Sequence, residues 1–177
     1  MTTQTPGADN QTAPGAAKST GAGTDATELL IKDHKEALGL FAQFDAAPDP
    51  AQKGEICKKV CGALKVHTQI EEELFYPAAR DALKAKDDGL VDEALEEHAQ
   101  AKRLIGEIEA MQPGQPGYDD TVRELAKDIK HHATEEETQM FPKVRQTDLD
   151  LQQLGRKMAA RKEELTAKAS QGGKALS

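Results

Sequence analysis

Two short segments of this chain carry the residues able to do chemistry. One is His67-Thr68-Gln69-Ile70-Glu71-Glu72-Glu73-Leu74-Phe75-Tyr76-Pro77; the other, 65 residues later, is His132-Ala133-Thr134-Glu135-Glu136-Glu137-Thr138-Gln139-Met140-Phe141-Pro142. With the prolines aligned, each lies ten residues after a His and six after a Glu. Both segments read as helix. His67 and Glu71, like His132 and Glu136, then stand one turn apart on one face, with Cβ atoms roughly 6 Å apart. Such a face presents an imidazole nitrogen and a carboxylate oxygen to the same metal ion or pair of ions.

Two further histidines complete a repeat. His34 and His98 lie 64 residues apart, each preceded by an acid, Asp33 and Glu97. The chain reads as two copies of a helical hairpin, each supplying one His and then His-x-x-x-Glu, with the half-sites facing one another. His34, His67, Glu71, His98, His132 and Glu136 all fall on seam positions that should be apolar. Burying such groups without partners costs several kcal/mol each. One buried histidine is commonly a satisfied core residue; six ionisable groups at matched heights in four helices call for a cation between them.

Rival sites fail on spacing. No Glu-x-x-His occurs at any of the five histidines, so the ferritin-like di-iron pattern is missing. There is no His-Glu-x-x-His, no Cys-based zinc set and no glycine-rich phosphate loop. The three serines, Ser19, Ser170 and Ser177, sit in the tails, which disfavours a serine nucleophile. His131 and Glu135 also fit His-x-x-x-Glu, but the seam Ile129, His132, Glu136 and the proline alignment both select His132. His131 is expected to be solvated or supporting. Glu72, Glu73 and Glu137 are expected to be solvated charges.

The elements that must position these residues are helical. Hydrophobic residues make up 37 % of the 177, aromatic residues only 3 % with no Trp, and charged residues 31 %. Few β-branched residues and much Ala, Leu, Glu and Lys point the same way. Residues 1–24 hold no large aliphatic residue beyond Met1 and are expected to be a disordered tail, as are 169–177. Between them, five helices are predicted. The first covers Ala26–Ala46 after Asp25, with seam Leu30, His34, Ala37, Phe41 and Phe44. The second starts at Asp49-Pro50, an N-cap followed by proline, and runs to Lys84 with a kink near Pro77. Its seam is Ile56, Val60, Ala63 or Leu64, His67, Glu71 and Leu74.

Asp87-Asp88-Gly89 breaks the pattern. A third helix follows to Met111, with seam Val91, Leu95, His98, Ala101, Ile105 and Ile108. After the Pro/Gly-rich loop 112–117, a fourth runs from Asp119 to Arg145 with seam Val122, Leu125, Ile129, His132, Glu136 and Met140. Steps of three and four with short connections predict an antiparallel up-down four-helix bundle over residues 25–146. A fifth helix, Asp148–Lys168 with Thr147 as N-cap, carries the apolar line Leu151, Leu154, Met158 and Leu165. It forms an accessory unit, 147–168, expected on the outside of the bundle.

The net charge of −8 disfavours nonspecific binding to nucleic acid or an anionic membrane. No apolar run reaches the 18 or so residues of a transmembrane helix, and the N-terminus has none of signal-peptide type, so a cytoplasmic protein is expected. Cys57 and Cys61 stand at i and i+4, awkward for a disulfide, and are read as two small buried or half-buried thiols.

In the order His, His-x-x-x-Glu, His, His-x-x-x-Glu, and in its Phe-Tyr-Pro and Phe-Pro endings, the chain resembles the hemerythrin-like proteins with a His-His-Glu cation-binding domain over residues 26–145. The resemblance implies a non-haem di-iron centre: two irons per chain, His34, His67, His98 and His132 as ligands, and Glu71 and Glu136 as bridging carboxylates. The oxygen-carrying members have a second His one turn after the first on the third helix; here Lys102 stands there beside Ala101. Two histidines per iron remain, which implies open positions. That weighs against reversible oxygen carriage and toward peroxide, nitric oxide or iron handling. The expected ligand is O2 or another small diatomic or peroxide, bound by a monomer or weak homodimer drawing electrons from an external reductant. Enzymatic turnover of peroxide or nitric oxide, iron storage or homeostasis, and a purely structural metal are the other readings.

Overall fold

The computed structural model describes Met1, residues 25–83, Asp87 and residues 89–172. The two expected tails lie outside the described residues, apart from Met1 and the stretch from 169 to 172. Every regular element among the described residues is helical. Helix α1 (Ala26–Ala46) begins where the Asp25 carboxylate accepts the backbone N–H of Glu28. Asp49 does the same for Gln52 at the start of α2 (Pro50–Ile70), with proline in the first turn.

The second rod continues through a π turn, Glu71–Phe75, into α3 (Tyr76–Leu83). The expected kink at Pro77 takes this form for a physical reason. A proline ring clashes with the carbonyl one turn earlier, and a widened turn before it relieves the clash. After α4 (Gly89–Ala110), the fourth rod repeats the device. Helix α5 (Tyr118–Glu135) passes into a π turn, Glu136–Met140, and then α6 (Phe141–Val144), with Pro142 in its first turn. In both rods the π turn opens on the Glu of His-x-x-x-Glu. Gly117, which precedes α5, has φ +87°, a backbone conformation that favours glycine.

Helix α1 packs on α2 and α5, and α4 packs on α5 and α2, closing a ring of four rods. Helix α7 (Leu151–Gly172) lies outside against α1, α2 and the first π turn. It starts later than predicted: Asp150 accepts the N–H of Gln153, while the Thr147 hydroxyl donates to the Val144 carbonyl and closes the preceding helix. It also continues to Gly172, beyond the expected end.

Two apolar clusters fill the bundle. One gathers Leu30, Ile70, Phe75, Ala94, Met140 and Phe141, with Leu154 and Met158 of α7. The other gathers Phe41, Phe44, Leu64, Ile105, Val122 and Ile129. Each of the four rods passes from one cluster to the other through a buried polar layer (Leu30–His34–Ala37 on α1, Leu64–His67–Ile70 on α2). Cys57 and Cys61 are buried free thiols in the second cluster, with Sγ atoms 3.8 Å apart.

Three seam assignments shift. Cys57 is buried and Ile56 only half-buried; Ala94 is buried while Leu95 is 37 % exposed; Phe75 and Tyr76 are buried while Leu74 is half-buried. The first two are one-residue rotations about a helix axis. The third follows from the π turn, which inserts a residue and carries the next ones round by about 100°. No helix of the described residues is long and apolar enough to cross a membrane.

Candidate metal centre

All six residues singled out from the sequence lie in the polar layer, each buried to 96 % or more: His34, His67, Glu71, His98, His132 and Glu136. Their arrangement has approximate twofold symmetry. Glu71 Oε2 stands 3.1 Å from His67 Nε2 and 3.3 Å from His98 Nε2. Glu136 Oε2 stands 3.4 Å from His34 Nε2 and 3.6 Å from His132 Nε2. Each carboxylate thus faces one histidine of its own rod and one of a neighbouring rod.

The outer edges of the imidazoles follow the same symmetry. His34 Nδ1 is 3.0 Å from Glu137 and His98 Nδ1 is 2.9 Å from Glu72. His132 Nδ1 is 2.9 Å from Glu97, and His67 Nδ1 is 3.6 Å from Asp33. A carboxylate at Nδ1 draws the ring proton to that nitrogen and leaves the Nε2 lone pair facing inward. This corrects the expectation that Glu72 and Glu137 are solvated charges. Each follows a buried Glu by one residue and reaches across to the next rod. Only Glu73 is an outward charge, paired with Arg161 of α7. The sequence did carry the signal for these four carboxylates: an acid precedes His34 and His98, and an acid follows Glu71 and Glu136.

His131 is 65 % exposed, with Nε2 3.6 Å from both Glu97 and Glu135, so the choice of His132 for the interior agrees with the geometry. Lys102, at the place of the missing histidine, bonds Glu72 through both carboxylate oxygens at 2.6 Å. It steadies the group that orients His98.

The sequence reading did not place Tyr76 in the site. Its backbone N–H bonds the Glu71 carbonyl, the five-residue step of the π turn, and this brings its ring over the residue that a regular helix would have covered with Leu74 or Phe75. The hydroxyl lies 3.0 Å from Glu136 Oε1 and 3.1 Å from His98 Nε2. In the other copy the equivalent residue is Phe141, stacked on His34 at 6.1 Å between centroids. One half of the centre therefore has an O–H and the other only hydrocarbon.

A metal fits these residues. His34 Nε2, His67 Nε2, both oxygens of Glu71 and Glu136 Oε2 are buried with no hydrogen-bond partner, although several stand within 3.6 Å of one another. Their lone pairs converge on shared space instead of aligning as donor and acceptor. His98 Nε2 and His132 Nε2 are 3.3 Å apart, and Tyr76 has one hydrogen for both Glu136 and His98. His34, His67, Glu71 and His132 each offer a ligand atom within 4.8 Å of the others.

Without a cation the charges conflict. Burial pushes Glu71 well above the usual carboxylate range, and the neighbouring Glu136 adds to this. Burial also pushes Glu136 upward, but His132 and His34 outweigh it and hold that carboxyl at about 2. Burial lowers His67 to about 4 and His98, which also faces His132, to about 3. The depressed histidines bind protons in the unfolded chain before they do in the folded one. Their stabilisation is complete above the unfolded value of 6.5 and is lost as pH falls toward about 4 and about 3. Glu71, raised in the folded chain, takes up its proton there first and acts the opposite way, but as one group against two. The melting temperature of metal-free protein should therefore fall between pH 6.5 and about 4. A flat profile from pH 7 to 4 in calorimetry would contradict the assignment.

An all-helical bundle with a buried His/Glu donor layer defines a metal-binding helical protein. Comparison with known families makes the class specific. The model of the hemerythrin HHE cation-binding domain matches residues 25–144, and the chain belongs to that family. A crystal structure of a hemerythrin HHE cation-binding domain-containing protein from Mycobacterium kansasii superimposes with a TM-score of 0.69 at 31 % identity, covering 82 % of this chain and 89 % of that one. Uncharacterized proteins of Mycobacterium tuberculosis and Mycobacterium bovis are 29 % identical over 145 residues, 80 % of this chain and 87 % of theirs. A DNA nickase of Nostoc sp. is 30 % identical over 118 residues, 67 % of this chain; the match spans only 33 % of the nickase. Helix α7 lies beyond the residues that the family model matches.

Proposed function

We propose that this protein holds two non-haem irons between His34, His67, His98 and His132, with Glu71 and Glu136 as bridging carboxylates, and binds O2, peroxide or nitric oxide there. The observation that carries the reading is that each of the four inward Nε2 atoms belongs to a ring whose outward Nδ1 faces a carboxylate, hydrogen-bonded in three rings and 3.6 Å away in His67. Mixed imidazole and carboxylate donors suit iron. Bound iron would supply an open position for a small ligand and the electrons to reduce it.

The residues of the chain supply the rest. Asp33, Glu72, Glu97 and Glu137 orient the rings. Phe75, Phe141 and the two apolar clusters keep bulk water away. Tyr76 holds a proton at its hydroxyl, beside Glu136 and His98; burial and the acids Glu71 and Glu136 raise its pKa and keep that proton in place. This hydroxyl supports a second reading, an enzyme that turns over peroxide, because it is a fixed hydrogen-bond donor beside Glu136 and His98 where a peroxide oxygen could accept. Electrons would come from an outside reductant, in the cytoplasm.

The test is elemental analysis, followed by anaerobic reduction and separate exposure to O2, hydrogen peroxide and nitric oxide while the visible spectrum is recorded. Iron near two per chain and a stable O2 or nitric oxide spectrum support the binding protein; rapid peroxide loss supports the enzyme. Protein from iron-replete cells without bound transition metal would remove both readings.

A further inference from the structure

A cleft of about 540 Å³ runs from the surface between α1 and α2, beneath the C-terminal half of α7. Its floor is formed by Asp33, His34 and His67. These side chains are at least nine-tenths buried, and Asp33 Oδ2, His34 Nε2 and both nitrogens of His67 have no hydrogen-bond partner. Small apolar residues, Ala37 on α1 and Gly62 and Ala63 on α2, form one stretch of the wall, and the charged Glu36, Lys58 and Lys59 stand around it. A Cβ built on Gly62 would meet nothing within 4 Å. Over the floor, Lys162 of α7 donates to Asp33 Oδ1, while Asp33 Oδ2 faces His67 Nδ1 at 3.6 Å. The same Lys162 and Asp33 line a second cleft of about 630 Å³ under the middle of α7, so this ion pair borders both spaces.

We infer that this cleft is the route by which small uncharged ligands reach the centre, that the bare backbone of Gly62 keeps it open, and that Lys162 on α7 is the latch across it. The inference rests on the proposed function and names the entry path and ligand class of that same site. Charge does not favour an ionic entrant. At the rim Lys58 is paired with Glu55, Glu36 with Lys32 and Lys162 with Asp33, so most of the charge there is balanced, with Lys59 adding one cation at the mouth. An ion passing the stretch of Ala37, Gly62 and Ala63 would also lose hydration that those residues do not replace. Peroxide, O2 and nitric oxide lose little. Elsewhere on the centre, Tyr76 and Phe141 cover the rings. The clefts at the loop 112–117 end and beside Ala78 include none of the six buried ligand-type residues.

The experiment is stopped-flow mixing of nitric oxide with the anaerobically reduced, iron-loaded full chain. Gly62→Leu and Ala63→Leu fill the cleft while leaving every ligand-type residue in the chain. Gly106→Leu is the control, since a Cβ there likewise meets nothing within 4 Å but lies on α4, away from the cleft. Iron content and the final nitric oxide spectrum should be unchanged in all three. The association rate should fall about tenfold or more in the two cleft variants and hold in the control. Lys162→Met should raise it by a few-fold.

Unaltered rates in both cleft variants with full iron would overturn the route, and an unaltered rate in Lys162→Met would overturn the latch. A fall in Gly106→Leu equal to that in Gly62→Leu would also overturn the route. Unmodified protein that holds iron and binds nitric oxide fast, with slow rates confined to the two iron-holding cleft variants, sustains the inference. Unmodified protein with no iron or no nitric oxide complex fails the functional reading itself.

Discussion

Glu71→Ala and Glu136→Ala are each expected to cut the protein's bound metal by half or more, whereas His131→Ala leaves the content unchanged. The reason is positional. Glu71 stands between a histidine of α2 and one of α4, and Glu136 between a histidine of α5 and one of α1. Each of these carboxylates faces the inward Nε2 atoms of two rods, so its loss removes a donor from both sides of a half-site. His131 is exposed and faces Glu97 and Glu135 outside the layer.

A glutamine variant separates a metal role from an ordinary core role. In metal-free protein Glu71 is a buried acid beside Glu136, and burial together with that neighbour holds its proton on. Glu71→Gln keeps the volume and removes the conflict. It should lower metal content while leaving metal-free melting unchanged or raised. A fall in metal-free stability comparable to that of a core truncation, with metal content intact, would assign Glu71 to packing.

Metal removal is the second large effect expected. The inward lone pairs of His34, His67, Glu71 and Glu136 lack partners within the protein, and the unfolded chain has no assembled site. Binding is therefore coupled to folding. At free metal about a thousandfold above the dissociation constant, linkage adds about 4 kcal/mol. For a chain of this size that is a melting shift of roughly 10 °C. Calorimetry of metal-free and reconstituted protein measures it directly. Coincident transitions would mean that the polar layer is satisfied without a cation, and the donor geometry would then need another explanation.

These expectations draw on different parts of the molecule, and the sequence disclosed them unevenly. The helices and their inward seams were legible because period 3.6 is a local property. His34, Ala37, Phe41 and Phe44 share a face whatever α1 packs against. The pairing of His67 with Glu71 was legible for the same reason. Two seam positions, Ile56 and Leu95, missed by one residue within regular helix, and the third error came where the period changes. Leu74 was placed inward on an unbroken helix, but the π turn ahead of Pro77 advances the register, so Phe75 and Tyr76 are buried in its place. The fourth rod has the same widened turn before Pro142, and there the buried residues are Met140 and Phe141.

The sequence by itself determined the helical class, the doubled His, His-x-x-x-Glu pattern and the six residues that fill the polar layer, since spacing along one rod sets which side chains share a face. Only the tertiary structure decided what meets between rods. Asp33, Glu72, Glu97 and Glu137 flank the inward residues by a single position and point off the seam, so their hold on an imidazole depends on how a neighbouring rod is set against them. Tyr76 enters the centre through a change of helical pitch, and Lys162 reaches Asp33 from a helix 129 residues away. A period is written in consecutive residues, but a contact across the bundle depends on the angle and offset at which two helices pack.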